Sequence, residues 1–284
     1  MALSRSADEP AVAGARAVDV DLMDADATAR AVADAAPDVV YHLAAQASVP
    51  AAWGRPGGTL VTNLRTTLHL LEAAREHAPE ARVVTVSSGE VYGPPDSLPV
   101  GEDAPLRPQN PYAVSKASAD LLAAMYADAH GMDVVRARPF NHAGPGQSDE
   151  YVVSTVARQA AEGLLAGDGP LRIVTGSPEP SRDFTDVRDV ARAYRMLAAP
   201  DVAADAYNVC SGTSVSVAEL LALVKRVTGR ELEHSVDPAR VRAHEVMEIR
   251  GDPARLRAAT GWEPAVALET TLADTIDWWR ERLG

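Results

Sequence analysis

The alternation of short β-branched runs with longer alanine- and leucine-rich stretches most constrains how this chain folds. Runs at 17–20, 38–43, 82–87, 133–138, 171–174 and 206–210 have the length and composition of strands. Stretches at 25–36, 60–77, 111–129, 151–166, 187–198, 216–228 and 268–283 have those of helices. Repeated strand–helix units wrap a parallel sheet, so the expected class is α/β with a doubly wound parallel sheet. The 38–43 and 82–87 runs are nearly unbroken apolar segments, which predicts strands covered on both faces. The Pro- and Gly-rich stretches 93–111 and 139–147 each follow a strand and read as functional loops.

The front of the chain departs from this pattern. A dinucleotide-binding sheet normally opens with a strand, a glycine-rich turn and a helix that receives the pyrophosphate. Neither G-x-G-x-x-G nor G-x-x-G-x-x-G occurs in the 284 residues. Ala2-Leu3-Ser4-Arg5-Ser6 reads as the end of the second strand of such a sheet. The expectation is that an opening unit of about 30 residues is absent and that the sheet is open on that side.

Charge and composition narrow the partners. A net charge of −13 repels nucleic acid and anionic lipid, so neither is an expected partner. No run reaches the length of a membrane span, and the first residues lack a hydrophobic signal core. The single cysteine, Cys210, has no internal partner, fits a reducing cytoplasm and reads as a small buried hydrophobe. The histidines show no metal-binding spacing, so no metal is expected. Arginine outnumbers lysine 25 to two, which singles out Lys116 and Lys225; Lys225 lies in an amphipathic helix and is expected to face solvent.

Lys116 closes the sharpest motif, Tyr112-Ala113-Val114-Ser115-Lys116. Asn110 is a good N-cap and Pro111 suits the first helical position, so residues 112 and 116 fall one turn apart on one face. A nearby ammonium favours the phenolate and brings a phenol towards acid–base work at neutral pH. Seven tyrosines and two lysines would produce this spacing by chance only about 0.05 times. Four further segments stand out. Ser87-Ser88-Gly89-Glu90-Val91-Tyr92-Gly93 closes an apolar strand, where α/β sheets gather their chemistry. Arg136-Ala137-Arg138-Pro139-Phe140-Asn141-His142-Ala143-Gly144-Pro145-Gly146-Gln147 is again a strand followed by a loop. Ser181-Arg182-Asp183-Phe184-Thr185-Asp186-Val187-Arg188-Asp189 and Arg242-Ala243-His244-Glu245 bring arginines suited to phosphate and a glutamate suited to ribose hydroxyls.

In this order the five motifs resemble the extended short-chain dehydrogenase/reductase family, whose sugar-nucleotide members are epimerases and dehydratases, over essentially the whole chain. The resemblance implies that Ser88, Tyr112 and Lys116 are catalytic, with Glu90 beside them. It implies cofactor contacts at Arg5, Asp21, Leu22, Leu43, Ala44, Ala45, Gln46, Tyr112, Lys116 and Pro139. Ser88, Gly89, Glu90, Asn141, Arg182, Arg242 and Glu245 would hold the substrate. The cofactor implied is NADP or NAD, with Arg5 and the lack of an acidic residue beside it leaning towards NADP. Within the family, SSGEVYG, RPFNHAGPGQ, SRDFTDVRDV and YNVCSG are most similar to the branch that reduces GDP-4-dehydro-6-deoxy-D-mannose to GDP-D-rhamnose. The 4,6-dehydratases of GDP-mannose carry a similar glutamate at the position of Glu90, so dehydration or another sugar-nucleotide epimerase or dehydratase activity stays open, as does a truncated, non-catalytic member. Where many relatives have N-x-x-G-T, this chain has Asn63-Leu64-Arg65-Thr66-Thr67, placing a side chain where glycine permits close packing. Residues 1–146 and 184–212 are expected to form the cofactor lobe, and 147–183 and 213–284 the smaller C-terminal α/β substrate lobe. A homodimer through paired helices is also implied, using part of the 111–129 stripe of Ala113, Val114, Ala117, Leu121, Leu122 and Met125.

Overall fold

Capping chemistry sets the helices that matter most here. The structure, a computed structural model, describes residues 1–4, 14–241 and 246–284. In chain order its elements begin β1 (Ala2–Ser4), β2 (Ala17–Asp19), α1 (Ala25–Ala35), β3 (Val39–His42), α2 (Val49–Gly54), α3 (Pro56–His77), β4 (Arg82–Val86), α4 (Pro111–His130) and β5 (Val134–Pro139). They continue β6 (Asn141–Ala143), α5 (Val152–Ala166), β7 (Leu171–Thr175), β8 (Ser181–Asp186), α6 (Val187–Leu197), β9 (Ala206–Val209) and β10 (Ser214–Ser216). The last are α7 (Val217–Thr228), β11 (Leu232–Val236), β12 (Glu248–Ile249), α8 (Ala254–Thr260) and α9 (Leu268–Leu283). α4 starts where the sequence puts it: Asn110 Oδ1 accepts from the Ala113 amide at 2.8 Å, and Gly131 ends the helix at φ 65°.

The chain divides into two compact units. The first comprises Met1–Val91, Leu106–Arg138 and Leu197–Tyr207; the second comprises Tyr92–Pro105, Pro139–Met196 and Asn208–Gly284. The main sheet runs β3-β4-β5-β9, with β3, β4 and β5 parallel, and β1 pairs with β2 in parallel. The expected α/β, parallel-sheet class is therefore the class observed. Among the described residues β1 and β2 pair only with each other, and no strand pairs with the outer edge of β3.

That edge corrects one expectation. β4 is buried along Arg82–Thr85, as its apolar run predicts. β3 is not covered on both faces: Tyr41 is 42% exposed and Leu43, just past the strand, is 60% exposed. An apolar run reports the burial a strand can use; only its neighbours decide how much it receives.

In the second unit α5, α7 and α9 pack around Val156, Ala160, Leu171, Leu220 and Leu272. Five of its described strands, β6, β8, β10, β11 and β12, have no counterpart among the runs expected to be strands. β8 carries the charged run Ser181–Asp186, yet Asp183 is fully buried because the Ser211 amide and hydroxyl and the Gly212 and Gly251 amides all donate to it. β11, Leu232-Glu233-His234-Ser235-Val236, has three polar residues in a row between two apolar ends and is aligned by its parallel pairing with β7. Cys210 is fully buried, and burial raises its thiol pKa well above the usual value. Lys225 is exposed and paired with Glu231 at 2.7 Å. Among the described residues no helix is long and apolar enough to cross a membrane.

Candidate active site

The first unit assembles the central motif where β4 ends and α4 begins. Tyr112 and Lys116 occupy the first two turns of α4, and the buried Lys116 ammonium donates to the Val86 carbonyl at 2.6 Å. That bond ties the helix to the strand end from which Ser88 follows. Ser88 is buried, and its hydroxyl accepts from the Glu90 amide at 3.2 Å in the short 3₁₀ turn Gly89–Tyr92. Asn110 does two jobs at once. Its oxygen caps α4, while its amide nitrogen donates to Glu90 Oε2 at 3.2 Å. Glu90 is thereby held against the start of α4.

Burial governs the electrostatics here. It lowers the Lys116 pKa from 10.5 to about 8, against the opposing pull of the Asp120 charge. Lys116 thus stays largely an ammonium at neutral pH while being easier to deprotonate than a surface lysine. His42 is lowered from 6.5 to about 3, first by burial and then by the Lys116 charge, and it is neutral at any working pH. Its Nε2 lies 3.1 Å from Thr67 Oγ1, which itself donates to the Asn63 carbonyl at 2.8 Å.

The loop after β3 is pinned by Asn63, the residue that opens the Asn63–Thr67 stretch and keeps its pattern. Asn63, buried in α3, accepts from the Gln46 amide at 2.7 Å and donates to the Gln46 carbonyl at 3.0 Å. Its amide also donates to Ser115 Oγ at 2.8 Å, and Ser115 donates to the Tyr112 carbonyl at 2.7 Å. Loop 43–46 and α4 are therefore joined through one carboxamide. Thr66, where the resemblance leads one to expect glycine, is buried and folds its hydroxyl back onto the Asn63 carbonyl.

The remaining residues distribute as follows. Leu43 and Ala44 are exposed on that loop, and Ala45 and Gln46 are half-buried. Asp21 is exposed, with Oδ1 accepting from the Met23 amide at 2.9 Å, and the Leu22 carbonyl lies 2.8 Å from His69 Nδ1. Gly89 is buried beside Ser88. Pro139, Asn141 and Arg182 belong to the second unit: Pro139 is buried, Asn141 is exposed opposite Phe184, and Arg182 donates to the Ser181 carbonyl at 2.9 Å. Arg5, Arg242 and Glu245 lie outside the described residues. Sequence reasoning passed over Asp120, although its position one turn past Lys116 was there to be read. It also passed over Ser115, which sits inside the Tyr-x-x-x-Lys motif itself.

The arrangement suits proton transfer to an oxygen. Tyr112 supplies a phenol, Lys116 a nearby positive charge, and Ser88 a further hydroxyl donor. Of the three N–H bonds on Lys116, one is used by Val86, which fits the nicotinamide ribose hydroxyls as partners for the others.

Comparison with known proteins shows the family. The family model described as GDP-mannose 4,6 dehydratase matches residues 3–275. The GDP-6-deoxy-D-mannose reductase of Pseudomonas aeruginosa is 41% identical over 252 residues, covering 87% of this chain and 82% of that protein. The structure of RMD from P. aeruginosa complexed with NADPH superposes with a TM-score of 0.86 at 37% identity, covering 95% of this chain and 93% of that one. The UDP-glucose 4-epimerase of Thermus thermophilus in complex with NAD gives a TM-score of 0.85 at 30% identity, covering 98% and 90%. The chain belongs to the GDP-mannose 4,6-dehydratase family of nucleotide-sugar enzymes.

Proposed function

We propose that this protein is a sugar-nucleotide oxidoreductase that reduces the 4-keto group of GDP-4-dehydro-6-deoxy-D-mannose, giving GDP-D-rhamnose. One observation carries the reading: Tyr112 and Lys116 share a face of α4, with Lys116 tied to the strand end that leads to Ser88, in a chain 41% identical to a GDP-6-deoxy-D-mannose reductase. A reduced nicotinamide, when bound, supplies the hydride. Tyr112 donates its phenolic proton to the former ketone oxygen, and the phenolate left behind is stabilised by the Lys116 charge. Ser88 donates a hydrogen bond to the same oxygen, lowering the cost of its developing negative charge. Leu43, Ala44, Ala45 and Gln46 are assigned to the cofactor together with Asp21, Leu22, Lys116 and Pro139. Gly89, Glu90, Asn141, Arg182, Arg242 and Glu245 are assigned to the nucleotide sugar. NADP is the preferred cofactor, with Arg5 reading its 2′-phosphate.

Two further assignments belong to this reading. Residues 1–146 and 184–212 serve the cofactor, and 147–183 and 213–284 the substrate. The protein is a cytoplasmic homodimer, paired through α3 and α4. The α4 stripe supports this, because it splits in two. Ala113 and Ala117 are buried within the unit, whereas Val114, Leu121 and Met125 remain exposed, as do Val61 and Leu64 of α3, which packs against α4. A second reading, 4,6-dehydration of GDP-mannose, is favoured by Glu90 alone, a carboxylate held by Asn110 and able to take a carbon-bound proton. Incubating the protein with GDP-4-dehydro-6-deoxy-D-mannose and NADPH, and separately with GDP-mannose and the same cofactor, separates the two. Stoichiometric NADPH oxidation with formation of GDP-D-rhamnose supports reduction. Conversion of GDP-mannose to a ketone without net NADPH consumption refutes it in favour of dehydration.

A further inference from the structure

Four charged side chains are buried in the first unit among the described residues: Arg82, Lys116, Asp120 and Arg138. Arg82 is accounted for locally, donating to Asp133 and to the carbonyls of Leu197, Ala199 and Val202. The other three form one cluster. Asp120 lies one turn beyond Lys116 and two beyond Tyr112, so all three share a face of α4. Arg138 donates from Nε and Nη2 to the two Asp120 oxygens, both at 2.8 Å, and Arg136 Nη1 donates at 3.2 Å. Arg136 and Arg138 are alternate residues of β5 and therefore project from the same side of the strand. Arg136 is shared with Asp205 at 3.3 Å.

The balance of charge in this cluster has a chemical consequence. Two guanidinium groups hold one buried carboxylate, and a third cation, Lys116, lies one turn before it on α4. Without the carboxylate, an ammonium and two guanidinium groups would be left together where water is scarce. Arginine does not give up its proton in proteins, so lysine is the group that would. The bidentate geometry fixes the carboxylate in place, and its charge is maintained there. Burial pushes the Asp120 carboxyl upward, but the Arg138 hydrogen bonds and charge outweigh that and hold it below the usual carboxylate range.

We propose that Asp120 is a positioning residue for the reaction: the carboxylate clamped by Arg136 and Arg138 keeps Lys116 an ammonium on the face it shares with Tyr112. The importance of that charge rests on the reductase reading; the clamp itself does not. The other groups around Lys116 cannot take over. His42, from β3, is neutral, β4 supplies the uncharged Val86 carbonyl, and α3 brings Asn63 and Thr67. Tyr112, on the same helix, gains negative charge only as the reaction proceeds. Asp120 is thus the carboxylate that opposes the effect of burial on Lys116.

The two-lysine composition makes a direct test possible. Protein labelled with ¹³C at the lysine ε-carbons gives one signal from Lys116 and one from Lys225, which is exposed and serves as the internal reference. In Asp120→Asn the titration midpoint of Lys116 is expected to fall by about one pH unit, the scale of a neighbouring opposite charge, with the Lys225 signal unmoved. The basic limb of the kcat profile should move down with it, and Asp120→Glu should restore both. If Asp120→Asn does not fold, Arg138→Gln is compared with Asp120→Asn/Arg138→Gln, in which amide faces amide, and the same downward step is expected between them. A Lys116 midpoint that is the same with and without the Asp120 carboxylate overturns the proposal, whatever happens to turnover. A shifted midpoint in a protein that lacks reductase activity refutes the reductase reading alone.

Discussion

His42 makes acid stability a quantitative test of how tightly the end of β3 is buried. Its pKa falls from 6.5 to about 3, first through burial and then through the Lys116 charge. Between those values the unfolded chain binds a proton that the folded chain refuses, so stability falls as pH drops through this window and levels off below it. Each unit is worth about 1.4 kcal/mol, so the full interval amounts to about 5 kcal/mol and the step from pH 7 to pH 5 to about 2 kcal/mol. His42→Gln keeps a donor for the Thr67 hydroxyl but cannot take up a proton. Urea unfolding of both proteins at pH 7, 6 and 5 isolates the contribution, since titrating carboxylates elsewhere affect both alike. The wild type should lose about 2 kcal/mol more than the variant between pH 7 and 5. Curves that run parallel over this range would show that His42 is hydrated or protonated in the folded protein, and the reasoning would fail.

Three other expectations concern the proposed activity and assembly. Tyr112→Phe should lower kcat by roughly 10²–10⁴, the scale of general acid catalysis, with little change in substrate affinity; near-full turnover in that variant removes Tyr112 as the proton donor. NADPH should bind more tightly than NADH in direct titration, and a preference for NADH of more than about tenfold would refute the assignment of Arg5 to a 2′-phosphate. Light scattering at micromolar concentration should give the mass of a dimer, and replacing exposed Leu121 and Met125 with glutamate should give a monomer without loss of folding; a monomeric wild type would end the paired-helix reading.

The class of fold and the shared helix face of Tyr112 and Lys116 were legible in the residue order because both rest on local physics. Alternating runs give strands and helices. Asn110-Pro111 starts a helix wherever it can, and a tyrosine and a lysine four residues apart then share a face. What could not be read locally was decided by neighbours. The apolar run of β3 reads like that of β4, yet Tyr41 and Leu43 stay exposed because no described strand lies along their edge. The charged run of β8 looks unlike a strand, and it becomes one because four distant hydrogen bonds satisfy Asp183. The same holds at the site. Sequence puts Lys116 one turn from Tyr112, but its donation to Val86 and the clamp of two arginines on Asp120 depend on β4 and β5 lying under α4. Residues spaced along one helix are placed by the chain itself. The charge that a buried group carries is set by whatever the tertiary structure packs against it, because desolvation and pairing act through space rather than along the sequence.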